Sequence, residues 1–266
     1  MPDSTRLDLI MPTESCFRFE NGRYLPLPAC RGPWDPSSLS GSVIVSLLAF
    51  AIEQEVDDSE YLPARLTIDL YRLPDFSPVE ITTTRVRDGY RIKVIDAEFI
   101  ANGISMARAS CQMLRKTENS PIKAWSPANW DVPMPEDLPA TEEGGLKWRR
   151  RISGDMNQFG PKRMWVNEQR ELVQSTPLSA WLRAAMVADL TNPWANSGQG
   201  GLGYINSDVT LYLHRLPTDD WIGMDVVNHQ ATDGVAIGEC WLYDRQGLIG
   251  TSTVTGLAQK KRPNGG

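Results

Sequence analysis

Leu66-Thr-Ile-Asp-Leu-Tyr-Arg-Leu-Pro74 returns later in the chain as Val209-Thr-Leu-Tyr-Leu-His-Arg-Leu-Pro217. Asn102-Gly103-Ile104 behind the first run is echoed by Gln246-Gly247-Leu248 behind the second, at nearly the same spacing. Around both runs the order of elements also repeats, an apolar helical stretch and then several strand-like segments. Two copies of one unit imply one architecture built by duplication. Function is then to be sought where the copies meet or where they differ.

Working outward, Phe17–Arg31 holds short aromatic strand-like pieces broken by Asn21-Gly22 and Pro26, the pattern of a hairpin. Over Leu39–Gln54, Val43, Leu47, Leu48 and Ile52 recur at helical spacing, and Ala49, Phe50 and Ala51 widen the stripe until little polar face remains. Such a helix needs cover on most of its circumference. Ala64–Tyr71, Val79–Arg87, Tyr90–Ala101 and Ile104–Leu114 change to strand alternation, separated by Asp88-Gly89 and Asn102-Gly103. A sheet curling around one long helix satisfies both patterns and gives an α+β unit. Prolines 121, 127, 133, 135 and 139 break regular structure and mark residues 119–145 as a linker between units at 1–118 and 146–266. The second unit opens with strand-like Leu146–Ile152 and Arg163–Asn167. It then places Pro177 ahead of a helical run over Leu178–Leu190 and continues as strands near Val209–Leu213, Gly223–His229, Val235–Tyr243 and Leu248–Ala258.

A chain of 266 residues can bury a substantial core, and two domains of ordinary size fit it well. Cys16, Cys30, Cys111 and Cys240 lack zinc-knuckle or disulfide-framework spacing and read as reduced structural thiols. The formal charge of −6 is spread over a mixed surface and gives no reason to expect nucleic acid as a partner. The basic runs Lys147–Arg151 and Lys260–Arg262 read first as solvated segments. No apolar stretch is long enough to span a membrane and no signal region follows the N-terminus, so a cytoplasmic protein is expected.

The helical face of Leu178, Leu182 and Ala185 continues to Asp189, which sets a carboxylate where an apolar group belongs. Turned inward, Asp189 would be a better base than an exposed aspartate, because desolvation and the helix C-terminus both raise its pKa; turned outward, it caps the Thr191-Asn192-Pro193 turn. Thr191 and Asn192 are close enough to share a pocket rim and equally suited to a plain turn. Asn206 and Ser207 precede the repeated strand, within reach of Asp189 across a sheet. Thr253 and Thr255 share one face of the last strand, as water ligands or simply as strand formers. His214 and His229, the two histidines, have no metal-ligand spacing to carboxylate or Cys, so no metal is expected. A Gly-X-Ser-X-Gly nucleophile turn is absent, and Gly198, Gly200, Gly201 and Gly203 suggest a lid more than a dinucleotide loop.

Gly32-Pro-Trp-Asp-Pro36, Arg87-Asp-Gly-Tyr-Arg91, Ala101-Asn-Gly103, Val187-Ala-Asp189, Asp208–Pro217 and Thr251-Ser-Thr-Val254 together resemble the acyl-CoA thioesterase II (TesB-type) double hotdog family over roughly residues 17 to 258. The resemblance implies two tandem hotdog units and hydrolysis of a fatty-acyl-CoA or related acyl thioester by activated water, with no cofactor and no covalent intermediate. The family's aspartate falls on Asp189, its threonine on Asn206 and its glutamine on Thr255. Ser40-Gly41-Ser42 replaces a His-Gly-Gly type segment. Backbone N–H groups near a helix start would polarise the thioester carbonyl, and Arg215 or Arg149–Arg151 would meet CoA phosphates. Two departures among three polar positions keep a second reading open, an acyl-thioester binding protein that has lost turnover. A hotdog hydratase or dehydratase is a third, weakened by the lack of an Asp/His pair. Further pairing into a homo-oligomer is compatible with the family.

Overall fold

A computed structural model of the protein describes residues 14–56, 59–127, 130–139, 148–153, 160 and 162–259. The first copy runs β1 (Ser15–Glu20), β2 (Arg23–Pro26), α1 (Gly41–Gln54), β3 (Tyr61–Leu70), β4 (Val79–Asp88), β5 (Ile92–Ala101) and β6 (Ile104–Arg115). The second runs β7 (Trp148–Ser153), β8 (Arg163–Glu168), β9 (Glu171–Val173), α2 (Ala180–Ala188), α3 (Thr191–Ala195), β10 (Ser197–Gly198), β11 (Gly201–Leu202), β12 (Tyr204–Asn206), β13 (Asp208–Leu213), β14 (Ile222–Thr232), β15 (Val235–Asp244) and β16 (Gly247–Ala258).

The all-round apolar character of α1 is satisfied as its composition requires. Val43, Val45, Leu47, Leu48, Ala49 and Ile52 are fully buried, and the helix packs on β4, β5 and β6 and on α2. Each such side chain contributes roughly 1.5–3 kcal/mol if it is a valine, leucine or isoleucine. The sheet meets the helix with every second residue, Ile95, Ala97, Phe99 and Ala101 of β5 and Ala107, Ala109, Cys111 and Met113 of β6 all being buried. The expected β1–β2 hairpin forms through Asn21 and Gly22, both at positive φ (52° and 76°).

The repeated runs meet each other. β3 and β13 pair antiparallel with Leu66 opposite Leu211, Thr67 opposite Thr210 and Ile68 opposite Val209. Thr67 and Thr210 hold the same place in the two copies, so the pseudo-twofold axis of the duplication passes between them. That seam joins both halves into one fourteen-stranded sheet, ordered β7-β8-β14-β15-β16-β13-β3-β6-β5-β4-β2-β1-β9, with β12 paired to β16 off this path. The helices run antiparallel inside it, with the start of α2 at the end of α1 through Ser179 Oγ donating to Glu53 Oε1 at 2.6 Å. This is the double hotdog: two tandem α+β units, each a helix held in a curved antiparallel sheet.

Three local expectations are corrected. The helix expected from Leu178 begins at Ala180 instead, because Ser179 is the N-cap, its hydroxyl accepting from the Leu182 N–H at 3.1 Å. Thr191-Asn192-Pro193 is not a plain turn but the start of the short helix α3, where Pro193 lies in the first turn and withdraws no needed donor. The proline-rich stretch is more than a tether. Trp130 stacks on Tyr243 with 4.5 Å between ring centroids, and Trp165 Nε1 donates to Pro133 O at 2.9 Å. The four cysteines are buried, and none is in a disulfide among the described residues. The side chains of the basic run at 147–151 and all of Lys260–Arg262 lie outside the described residues. No helix among the described residues is long and apolar enough to cross a membrane.

Candidate active site

A cavity of about 870 Å³ opens between the two copies, within the size range of small-molecule sites. Its wall is built from the 31–34 loop, the start of α1 and the end of β3 on one side, and from Asp189, α3, the β10–β11 hairpin and Asn206–Ser207 on the other. Ile44, Leu70, Met164, Trp194, Leu202 and Ile205 supply much of the apolar lining.

Asp189 is the C-cap of α2, and its carboxylate lies against the first residue of α1. A Cβ at position 41 would sit 2.7 Å from Asp189 Oδ1 and 2.9 Å from Oδ2, so only glycine lets the backbone and the acid approach so closely. Asp189 is 8 % exposed. Burial pushes its pKa up to about 6, partly offset by Asn206, whose Nδ2 donates to Oδ1 at 3.0 Å. The sequence placed Asp189 and Asn206 near each other across a sheet, and the structure brings them into contact.

The start of α1 is left open. Ser40, its N-cap, makes no side-chain capping bond, and its hydroxyl pairs instead with Ser42 Oγ at 2.9 Å. The first-turn N–H groups of a helix have no intrahelical acceptor, and here Ser40, Gly41 and Ser42 line the cavity beside Asp189. The related place in the other half is occupied: Ser179 caps α2 and also donates to Glu53.

Thr255 serves the site from behind. Its N–H donates to Asp208 Oδ1 at 2.6 Å, and its hydroxyl donates to the same oxygen. Ser207 Oγ lies 2.9 Å from Thr255 Oγ1. A hydroxyl has one proton, so with Thr255 committed to Asp208, Ser207 is the donor to Thr255 and keeps its lone pairs for the cavity. Ser207 lines the cavity; Thr255 does not. Asn192 lines it too, with Nδ2 donating to Tyr204 O at 3.2 Å and Oδ1 accepting from Asn196 at 2.9 Å. Thr191 is fully buried near Cys240 and away from the cavity.

Arg215 is not at the cavity. It pairs with buried Asp244, donating from Nη2 to Oδ1 at 2.7 Å, and also reaches Gly247 O at 3.1 Å. The pair holds Asp244 well below the usual carboxylate range, to about 2, against the opposing effect of burial. That guanidinium locks the β15–β16 turn and leaves no free fork for a phosphate. Arg170 does line the cavity, but it is neutralised by Glu168, with Nη2 to Oε2 at 2.8 Å and Nε to Oε1 at 3.0 Å, and it donates to Ala29 O at 2.9 Å. Arg31, which no sequence pattern singled out, and Arg72, the counterpart of Arg215 in the repeated run, also line it, on the exposed rim. Neither histidine lines the cavity; His229 Nδ1 sits 2.8 Å from Asn196 Oδ1 and His214 Nε2 2.9 Å from Leu248 O.

Fold and site together define a double hotdog protein with an open cavity at the copy interface, carrying a buried acid at a helix N-terminus. Residues 30–114 match the family model of the acyl-CoA thioesterase N-terminal domain, and residues 124–258 that of the C-terminal domain. The chain belongs to the TesB-like double hotdog acyl-CoA thioesterase family, a class of thioesterase-like enzymes acting on acyl-thioester substrates. Among solved structures it is similar to a tesB protein of Mycobacterium avium subs paratuberculosis, at 17 % identity and TM-score 0.67 over 91 % of this chain and 95 % of that one. It is also similar to the acyl-CoA thioesterase II TesB2 of Mycobacterium marinum, at 18 % identity and TM-score 0.64 over 85 % and 91 %. A hot dog fold protein of unknown function from Alicyclobacillus acidocaldarius matches at 15 % identity and TM-score 0.72 over 92 % and 96 %. At these identities the likeness concerns the fold. No curated protein matches the chain.

Proposed function

We propose that the protein hydrolyses a fatty-acyl-CoA or related acyl thioester to the free acid and thiol, with Asp189 as general base. The observation that carries this reading is a buried carboxylate, raised to about 6, set against the uncapped start of α1 in an apolar-walled cavity. The acyl chain lies along the apolar wall and its carbonyl oxygen faces the first-turn N–H groups of α1, which stabilise negative charge as it develops. Asp189 takes a proton from water as the water oxygen bonds to the carbonyl carbon. The tetrahedral intermediate collapses, the C–S bond breaks, and the proton passes to the departing sulfur, so acid and thiol leave and the carboxylate is restored. Asn206 holds Asp189 Oδ1 in place, while Asp208 and Thr255 brace Ser207, whose lone pairs face the water. Thr255 is a positioning residue in this scheme and Asn192 part of the substrate wall.

The test is free-thiol release from short, medium and long acyl-CoAs. Turnover that depends on chain length supports the reading. Tight acyl-CoA binding with no thiol release above background would instead favour the binding-protein alternative, which the two departures from the family's polar positions keep in view.

A further inference from the structure

The cavity rim carries an unbalanced positive charge that the proposed chemistry does not use. Arg31 lies at the start of the 31–40 loop and Arg72 just beyond β3. These segments are stitched together by Leu39 N donating to Pro74 O at 2.9 Å and by the Ser38–Asp75 bridge. Both arginines line the cavity and both are exposed. Neither has an ion-pair partner among the described residues. Of the other charged lining groups, Arg170 is neutralised by buried Glu168, and Asp189 is the only carboxylate among the described residues that line the cavity. A chain of formal charge −6 thus presents, at the mouth of its cavity, two guanidiniums that no described carboxylate pairs. Half-buried Trp34 and exposed Tyr71 stand next to them on the same wall.

Resting on the thioesterase reading, we propose that Arg31 and Arg72 form the site for the phosphate groups of the substrate's carrier portion, and so select thioesters of a phosphorylated carrier over simple thioesters. Guanidinium matches phosphate through paired donors, and the aromatic neighbours offer flat apolar surface to the remainder of the carrier. The phosphodiester is common to CoA and to the phosphopantetheine of an acyl carrier protein; the phosphate on the ribose belongs to CoA alone.

The test compares wild type, Arg31→Gln and Arg72→Gln on one acyl group carried by CoA, by dephospho-CoA, by an acyl carrier protein and by phosphate-free pantetheine. Calorimetric titration with CoA itself, at low and high salt, runs beside it. Each variant is expected to raise KM for acyl-CoA and weaken CoA binding by about tenfold, the scale of one lost charge-assisted contact at a partly wet site. It should leave kcat, and both constants for acyl-pantetheine, unchanged. A loss confined to CoA over dephospho-CoA assigns the ribose phosphate, and an equal loss with the carrier protein assigns the phosphodiester. Unchanged KM for acyl-CoA and unchanged CoA affinity in both variants would overturn the proposal. The titration needs no turnover, so an inactive protein that still binds CoA through these arginines sinks the thioesterase reading and leaves this one standing.

Discussion

Replacing Asp189 by Asn should make the folded protein more stable while removing its activity. The carboxyl's pKa rises from 3.8 to about 6 in the folded protein because burial penalises its charge. At roughly 1.4 kcal/mol per pH unit, keeping it ionised costs the folded state about 3 kcal/mol. The sign follows from linkage: the folded state holds this proton more tightly than the unfolded chain. Below about pH 4 both states are protonated and there is no cost; stability falls as pH rises from there through about 6, and above that the full cost is present. Asparagine has nearly the same shape, still accepts from Asn206 Nδ2 through its carbonyl oxygen, and carries no charge. Urea unfolding of wild type and Asp189→Asn at pH 7.5 and pH 4 measures the difference. The expected result is a variant more stable by up to about 3 kcal/mol at pH 7.5, with most of the gain gone at pH 4. A variant equal to or weaker than wild type at pH 7.5 would refute a base held at the expense of stability.

Asn206→Ala removes the donor that partly offsets burial at Asp189, so the acid limb of kcat/KM should move above its wild-type position near pH 6, and a pH–rate profile reads this directly. Gly41→Ala puts a Cβ 2.7 Å from Asp189 Oδ1. The acid must shift, and a displacement of about 1 Å is expected to cost on the order of a hundredfold in kcat with the circular dichroism spectrum unchanged. Glu168→Ala strands Arg170, 3 % exposed, without its carboxylate; a loss of about 3–5 kcal/mol is expected in chemical denaturation.

The architecture was legible because it rests on repeating patterns. The matched runs at 66–74 and 209–217 became the seam strands, and the apolar girth of α1 required the wrap that β4, β5 and β6 provide. Asp189 was legible as a carboxylate out of place on an apolar face. What the sequence hid depends on partners far apart in the chain. Arg215 looked available until Asp244 closed on it across the β15–β16 turn. Thr255 pointed the right way, yet Asp208 takes its proton. Arg31 is an isolated charge in a loop and carries no periodic signal, while Arg72 matches Arg215 in the repeated run yet ends up at the cavity where Arg215 does not. β9, three residues long, gave no strand pattern, and its parallel pairing with β1 ties residue 171 to residue 15.

Single-turnover mixing of excess protein with acyl-CoA separates binding from chemistry and bears most directly on Asp189 as the base. With wild type at pH 7.5, one equivalent of thiol is expected together with one equivalent of free acid. With Asp189→Asn, CoA affinity should be unchanged and release slower by at least about a hundredfold. Equal rates in the two proteins, or thiol release that outruns acid formation and leaves an acylated protein, would contradict Asp189 as the base.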